Sequence, residues 1–363
     1  MSEHLSTQMG SYYLLGNSGL RVSPLCLGTM TFGTEWGWGS DAATAASLYD
    51  RFLDAGGNFV DTADLYTEGE SEKQLGTLMA ERGQRDRLVV ATKFSFSLTQ
   101  GDPNAGGNGR KHIVKALEAS LRRLKTDYVD LYWLHIWDTL TPVEEVMRTL
   151  DDLVRAGKIR YVGFSDVPAW YAARAQTLAE WRGTVPLCAL QLEYSLAERS
   201  IEREHIPAAL ELGMAVQPWS PLAGGLLTGK YRKDSTGRLA TQAASGGGHV
   251  ERFTERNARI VEVLCEVAAE VEKTPAQVAL NWVAGRRGIA ATLIGATRLS
   301  QLEDNLAALS FTLPNEARSR LDAVSAPDDC FPYSFFTSHV AKRTTGHTNV
   351  QREAPAFRGP RVS

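Results

Sequence analysis

Eight short, apolar, β-rich runs recur along the chain: VSPLCLG, NFVDTA, LVVATK, VDLYWLH, RYVGFS, LCALQLE, MAVQPWS and ATLIGA. Each is apolar nearly throughout rather than alternating, as expected of strands covered on both faces in a parallel sheet. The stretches between them carry the helical period. Ile113, Ala116, Leu117, Leu121 and Leu124 make one apolar stripe, and Val143, Val146, Met147, Leu150, Leu153 and Val154 another. Thr141-Pro142-Val143-Glu144 reads as a capped helix start with proline in the first turn, and Gly157 lies near its end. Strand and helix alternating eight times predict an α/β fold, the (β/α)8 TIM barrel. A doubly wound sheet is the rival arrangement.

Extra pieces decorate this plan. Tyr12-Tyr13-Leu14 and Leu20-Arg21-Val22 flank a Gly16-Asn17-Ser18-Gly19 turn, which predicts an N-terminal β-hairpin ahead of the first strand. Two long loops, Ser97 to Asn108 and Lys233 to His249, are rich in glycine and small residues, a composition typical of lids or unstructured segments. From Ala326 the barrel periodicity is lost. The expectation is one domain over residues 1–363, with a core at about 13–325 and a C-terminal tail at 326–363.

A chain of 363 residues buries a sizeable core without disulfides or a structural metal. Lys plus Arg total 39 against 42 Asp plus Glu, a balance that points to no nucleic-acid or anionic-membrane partner. Cys26, Cys188, Cys265 and Cys330 are far apart and form no CxxC pair, so free thiols in a reducing compartment are expected. The polar start MSEHLSTQMG has no apolar signal region, and no uncharged run is long enough to span a bilayer. The cytoplasm is the expected location, and no oligomeric state is assigned.

In a barrel the chemistry sits at the C-terminal strand ends. Those ends read Asp61, Lys93, His135, Ser165, Gln191 and Trp219 in order. Charged side chains are rarely buried without partners, so such a run is a candidate site; an ion-pair network serving stability alone is the plainer alternative. Tyr66 follows Asp61 by one turn of loop, in FVDTADLY. A phenol is a poor acid or base at neutral pH. A neighbouring Lys93 ammonium would lower its pKa, and Asp61 would hold Lys93 charged and oriented. With His135 offering a second hydrogen bond, the set suits proton delivery to an oxygen that becomes an alkoxide. Carbonyl reduction needs this when a hydride arrives from a cofactor.

FVDTADLY, VVATKF, LYWLHIWD, VGFSD, LQLEYSL, VQPWSPLAGGLLTGKY and LIGATRLSQLEDNL resemble, in order, the strand-end motifs of the aldo-keto reductase superfamily, from about Tyr13 to about Val324. The nearest flavour is the bacterial-type reductases that also resemble the potassium-channel β subunits. The resemblance implies Tyr66 as general acid, tuned by Lys93 and Asp61, with His135 positioning the carbonyl. It implies an NADP(H) cofactor and a small-molecule aldehyde or ketone substrate. Ser165, Asp166 and Gln191 would bond the nicotinamide carboxamide, Trp219 would stack on its ring, and Thr29 and Met30 would lie beside it. The family usually has asparagine where Asp166 stands, and a carboxylate cannot donate to the carboxamide oxygen unless protonated. Trp219 replaces the tyrosine of many members and keeps an aromatic face. The alternative within the resemblance is a β-subunit-like protein whose bound cofactor acts as a redox sensor; four catalytic residue types favour the enzyme.

Gly224 to Lys230 matches GxxxxGK, but Tyr231 stands where a P-loop needs Ser or Thr, so NTP binding is not expected. Free glycine amides and a lysine still suit a pyrophosphate. By resemblance Ser220, Leu222 and Lys230 strap the dinucleotide. Gly295-Ala296-Thr297-Arg298 opens the helix LSQLEDNLAAL, and a helix N-terminus with an arginine makes an anion site. By resemblance Thr297 and Arg298 take the 2′-phosphate, with Gln301 and Asn305 on the adenine. No HxH follows the first strand and no HExxH occurs, so no metal site is expected. Trp36, Trp38, Phe94, Trp137, Phe331, Tyr333, Phe335 and Phe336 are candidate pocket liners.

Overall fold

All eight apolar runs become strands of one parallel sheet in the computed structural model, which describes residues 8–230, 252–336 and 338–348. After a hairpin of β1 (Tyr13–Leu14) and β2 (Arg21–Val22) come β3 (Leu25–Gly28), β4 (Phe59–Asp61), β5 (Val89–Phe94) and β6 (Val129–Leu134). They are followed by β7 (Ile159–Ser165), β8 (Leu187–Glu193), β9 (Ala215–Trp219) and β10 (Thr292–Ile294). The order β10-β3-β4-β5-β6-β7-β8-β9 is sequential, without the reversal that a doubly wound sheet requires. The cylinder closes where Val216 N–H donates to Gly288 O (2.9 Å) and Ala290 N–H to Val216 O (3.2 Å).

Helices fill the intervals: α1 (Ala42–Asp54), α2 (Glu70–Arg82), α3 (Arg110–Leu124), α4 (Val143–Arg155), α5 (Ala169–Arg182) and α6 (His205–Glu211). Then come α7 (Glu255–Glu270), α8 (Pro275–Ala284), α9 (Leu299–Ala307) and α10 (Asn315–Val324). Local chemistry sets their starts. Asp41 caps α1 and Thr254 caps α7, while Thr274 and Gln277 form a reciprocal capping box with Pro275 at the first position of α8. The expected cap of α4 is different. Pro142 is its N-cap residue, with no side-chain cap, because the Thr141 hydroxyl donates instead to Asp138 (2.6 Å). Gly157, at φ 72°, does follow the end of α4.

Side chains alternate between two cores. Cys26, Phe59, Ala91, Leu131, Trp133, Ala189 and Ala215 cluster inside the barrel with Leu15 and Val22 of the hairpin. Leu25, Leu27, Val60, Val90, Tyr132, Leu134, Phe164, Leu190 and Val216 join the helices in the outer core. Gly163 is inward too: a Cβ there would come within 2.2 Å of the Trp133 ring, so its absence lets one indole fill the barrel. The same period of two then places the polar groups. Asp61, Lys93, Gln191 and Gln217 each stand two residues beyond an inward residue (Phe59, Ala91, Ala189, Ala215), in a layer above the apolar floor.

The chain divides into two compact units, Met1–Ala326 and Pro327–Ser363. In the second, a turn at Tyr333–Phe335 precedes α11 (Ser338–Thr344), and the Tyr333 and Phe336 rings meet edge-on at 6.1 Å. The loop up to Asn108 is tethered to the barrel: Asn108 accepts from Ser95 Oγ (2.6 Å) and donates to Ile136 O (2.9 Å). Tyr231 and the segment from Lys233 to His249 lie outside the described residues. No described helix is long and apolar enough to cross a membrane.

Candidate active site

Lys93 is the hub of the polar layer. Its Nζ donates to Asp61 Oδ1, to Thr62 O at 2.8 Å and to Tyr66 Oη at 3.1 Å, which uses all three ammonium hydrogens. Lys93 and Asp61 are fully buried. Gln191 Nε2 donates both to Asp61 Oδ2 (3.0 Å) and to Gln217 Oε1 (2.8 Å), so the carboxylate is held from two sides. Burial works to discharge Lys93, but the Asp61 and Tyr66 contacts outweigh it and raise its pKa.

Tyr66 reaches this hub from a tight turn. Thr67 (φ 47°) and Glu68 (φ 58°) occupy the left-handed region, a strained conformation for a β-branched residue. The Thr67 hydroxyl offsets the strain, donating to Phe32 O (2.7 Å) and accepting from Ser71 N–H (3.0 Å). The Tyr66 pKa departs from the sequence expectation. Burial raises it and outweighs the lowering by Lys93, so the phenol is above its ordinary value and keeps its proton.

His135 stands just past β6, its ring edge-on to Tyr66 at 5.8 Å and to Phe96 at 5.0 Å. Burial, then the Lys93 charge, lowers its pKa well below the ordinary range, so it is neutral at neutral pH. Its Nδ1 is buried without a partner. The structure therefore brings Asp61, Tyr66, Lys93 and His135 together.

A second group surrounds this one. Ser165 pairs with Gln191 across β7 and β8. Asp166, at φ 47°, accepts from the Trp219 indole N–H at 3.0 Å. Burial pushes Asp166 up to about 6, against the Trp219 bond and the Ser165 hydroxyl. That hydroxyl faces the carboxylate without completing a hydrogen bond of its own. Met30 is half-buried, but the Thr29 hydroxyl is spent within the scaffold, on Asp61 O (3.1 Å) and Ser71 Oγ (2.8 Å).

Two loops leave the neighbouring strands β9 and β10. In the first, Gly224 (φ 67°) and Gly225 (φ 104°) turn the backbone, Gly224 N–H donates to Ser220 Oγ (3.2 Å), Leu222 is half-buried and Lys230 is exposed. In the second, Arg298 is the N-cap residue of α9; it is exposed and its side chain caps nothing. The Gln301 side-chain oxygen accepts from the amide (2.9 Å) and hydroxyl (3.0 Å) of Thr297, and Asn305 Nδ2 donates to Gly295 O (3.2 Å).

The Aldo/keto reductase family model matches residues 24–326. The chain belongs to the aldo/keto reductase family. It is 35% identical over 338 residues to the norsolorinic acid reductase of Aspergillus flavus, covering 91% of this chain and 84% of that one. It is 32% identical over 364 residues to the aryl-alcohol dehydrogenase [NADP(+)] of Phanerodontia chrysosporium, covering 94% of each. An oxidoreductase of Bacillus subtilis, YrpG, is 38% identical over 323 residues, covering 86% of this chain and 95% of its own. The family's oxidoreductases act on carbonyl compounds with nicotinamide cofactors.

This aldo/keto reductase has groups that fit such a cofactor: an aromatic face at Trp219, the incompletely bonded Ser165 hydroxyl, a glycine turn at Gly224-Gly225, and an exposed arginine at a helix start. The aromatic surroundings need one correction. Phe94 is fully buried against Tyr132 (4.8 Å) in the outer core and lines nothing. It follows the inward Lys93, so its parity sends it outward. Ser95 (φ 130°) then breaks the strand, and Phe96 is the ring at His135. Trp36 meets Tyr66 edge-on at 6.4 Å and packs tilted against Trp38 at 5.6 Å, while Trp137 packs with Trp170 at 5.5 Å. Phe331, Tyr333, Phe335 and Phe336 belong to the second unit.

Sequence reasoning missed the roles of Thr62 and Gln217, and a buried carboxyl pair behind the site. Glu72 accepts from Thr92 Oγ1 (2.5 Å) and pairs with Arg123 (2.6 Å). Asp64 is buried with one oxygen unpartnered, and burial followed by the Glu72 charge raises it to about 8. The i+8 spacing of Asp64 and Glu72 gave no warning, since a loop and a helix start lie between them.

Proposed function

We propose that this chain is an NADP(H)-dependent reductase of aldehydes or ketones, aromatic ones above all, with Tyr66 as the general acid. The single Lys93 ammonium shared between Asp61 and the Tyr66 hydroxyl at the strand ends carries this reading. A bound reduced nicotinamide supplies the hydride for the carbonyl carbon. Tyr66 Oη gives its proton to the carbonyl oxygen, and Lys93 stabilises the phenolate left behind. Asp61, itself held by the Gln191 amide, keeps Lys93 in place. Neutral His135 offers an N–H to the same oxygen without adding a charge.

Ser165, Asp166, Gln191 and Trp219 would hold the nicotinamide, with Thr29 and Met30 beside it through backbone and thioether. Ser220, Leu222, Lys230 and Gly295 would line the pyrophosphate path, Thr297 and Arg298 the 2′-phosphate, and Gln301 and Asn305 the adenine. Aromatic substrates are supported by Trp36 and Phe96 beside Tyr66 and His135, and by the names of relatives acting on norsolorinic acid and aryl alcohols.

The test is NADPH consumption with paired aromatic and aliphatic aldehydes and ketones. Tyr66→Phe should lower kcat roughly 10²–10⁴-fold while dinucleotide binding persists. An unchanged rate would remove Tyr66 from the chemistry. Arg298→Ala should weaken NADPH far more than NADH, and equal weakening would remove the 2′-phosphate assignment.

A further inference from the structure

Among the described residues, one carboxylate at the strand ends has no counter-charge. Asp61 is paired with Lys93, His135 is neutral, and Glu193 is paired with Arg252 (2.5 Å). Asp166 remains. Among the described residues no cation lies within salt-bridge distance of it, and Lys93, the cation that acts on it, is already shared between Asp61 and Tyr66. The position is also fixed. The Asp166 N–H donates to Gln191 O (3.3 Å), its carbonyl accepts from Trp137 N–H (3.4 Å), and its carboxylate accepts from Trp219 (3.0 Å).

A half-buried charge without an opposite charge beside it is costly, and a ligand that brings that charge offsets the cost. The two redox forms of a nicotinamide differ in this respect: the reduced ring is neutral and the oxidised ring carries a positive charge. We infer that Asp166 makes this site grip the oxidised dinucleotide more tightly than an uncharged residue there would, while leaving the grip on the reduced form nearly unchanged. The inference rests on the placement of the nicotinamide given under Proposed function. With its pKa at about 6, Asp166 carries its charge at neutral pH. Charges a few ångströms apart in a partly desolvated site shift binding by an order of magnitude or so. The bias makes the bound reduced form a stronger hydride donor, because positive charge then builds where a carboxylate waits, and it slows release of the oxidised form.

The experiment is calorimetric titration of wild type and Asp166→Asn with NADP⁺ and NADPH separately, at pH 7.5. Asparagine tolerates the positive φ and still accepts from Trp219, so the fold is retained. The expected result is a loss of about tenfold in NADP⁺ affinity on substitution, with NADPH changed far less. Equal changes for both forms, or none, would overturn the inference while leaving the nicotinamide placement intact. If wild type binds neither dinucleotide, the placement itself fails and the inference falls with it.

Discussion

Replacing Lys93 by methionine removes the one cation of the buried layer and keeps an unbranched chain of similar length. Asp61 then loses its one charged partner and keeps the Gln191 amide at 3.0 Å. Removing one partner of a buried ion pair costs about 3–5 kcal/mol. The loss has a ceiling, because Asp61 can take up a proton. That escape costs about 1.4 kcal/mol for each pH unit above the ordinary carboxyl pKa of about 3.9. The ceiling is therefore about 4 kcal/mol at pH 7 and under about 2 kcal/mol at pH 5. The sign follows: a carboxyl whose folded pKa is raised contributes stability that is lost as pH rises towards that pKa. Urea unfolding of Lys93→Met should show a deficit that grows from pH 5 to pH 7. Adding Asp61→Asn should abolish the growth, since no charge then remains to be stranded. A deficit independent of pH, or one that Asp61→Asn deepens equally at every pH, would refute the ion-pair account.

Other tests reach the surrounding structure. Asp64, raised to about 8, keeps a proton in the folded chain that the unfolded chain loses near pH 4. Wild-type stability should thus fall as pH rises from 5 to 8 relative to Asp64→Asn, and parallel urea-unfolding curves for the two would show that Asp64 ionises freely. Gly163→Ala would push a methyl group into the Trp133 ring and to 2.9 Å from Ala189 O, costing about 1–3 kcal/mol. Calorimetric melting measures this, and an unchanged Tm would mean that the barrel floor has room to spare.

The barrel, its hairpin and the residues closing each strand were legible because they follow from local rules. Apolar runs of strand length, helical stripes between them and a period of two along each strand need no knowledge of what lies opposite. Asp61, Lys93, His135, Ser165 and Gln191 could be aligned as one layer on that basis. Whatever depends on a distance across the barrel was not legible. The direction of the Tyr66 shift required knowing that burial outweighs a lysine at 3.1 Å. The choice of Phe96 over Phe94 required the break at Ser95, which reverses the parity a continuing strand would have. The Asp166–Trp219 bond joins residues 53 positions apart, and the Thr29 hydroxyl turns out to be spent on Asp61 O and Ser71. Residue type and spacing determine which groups this chain can bring to the barrel mouth. Only the folded arrangement decides which are already satisfied and which still face a ligand, because desolvation and hydrogen bonding depend on neighbours that are remote in sequence.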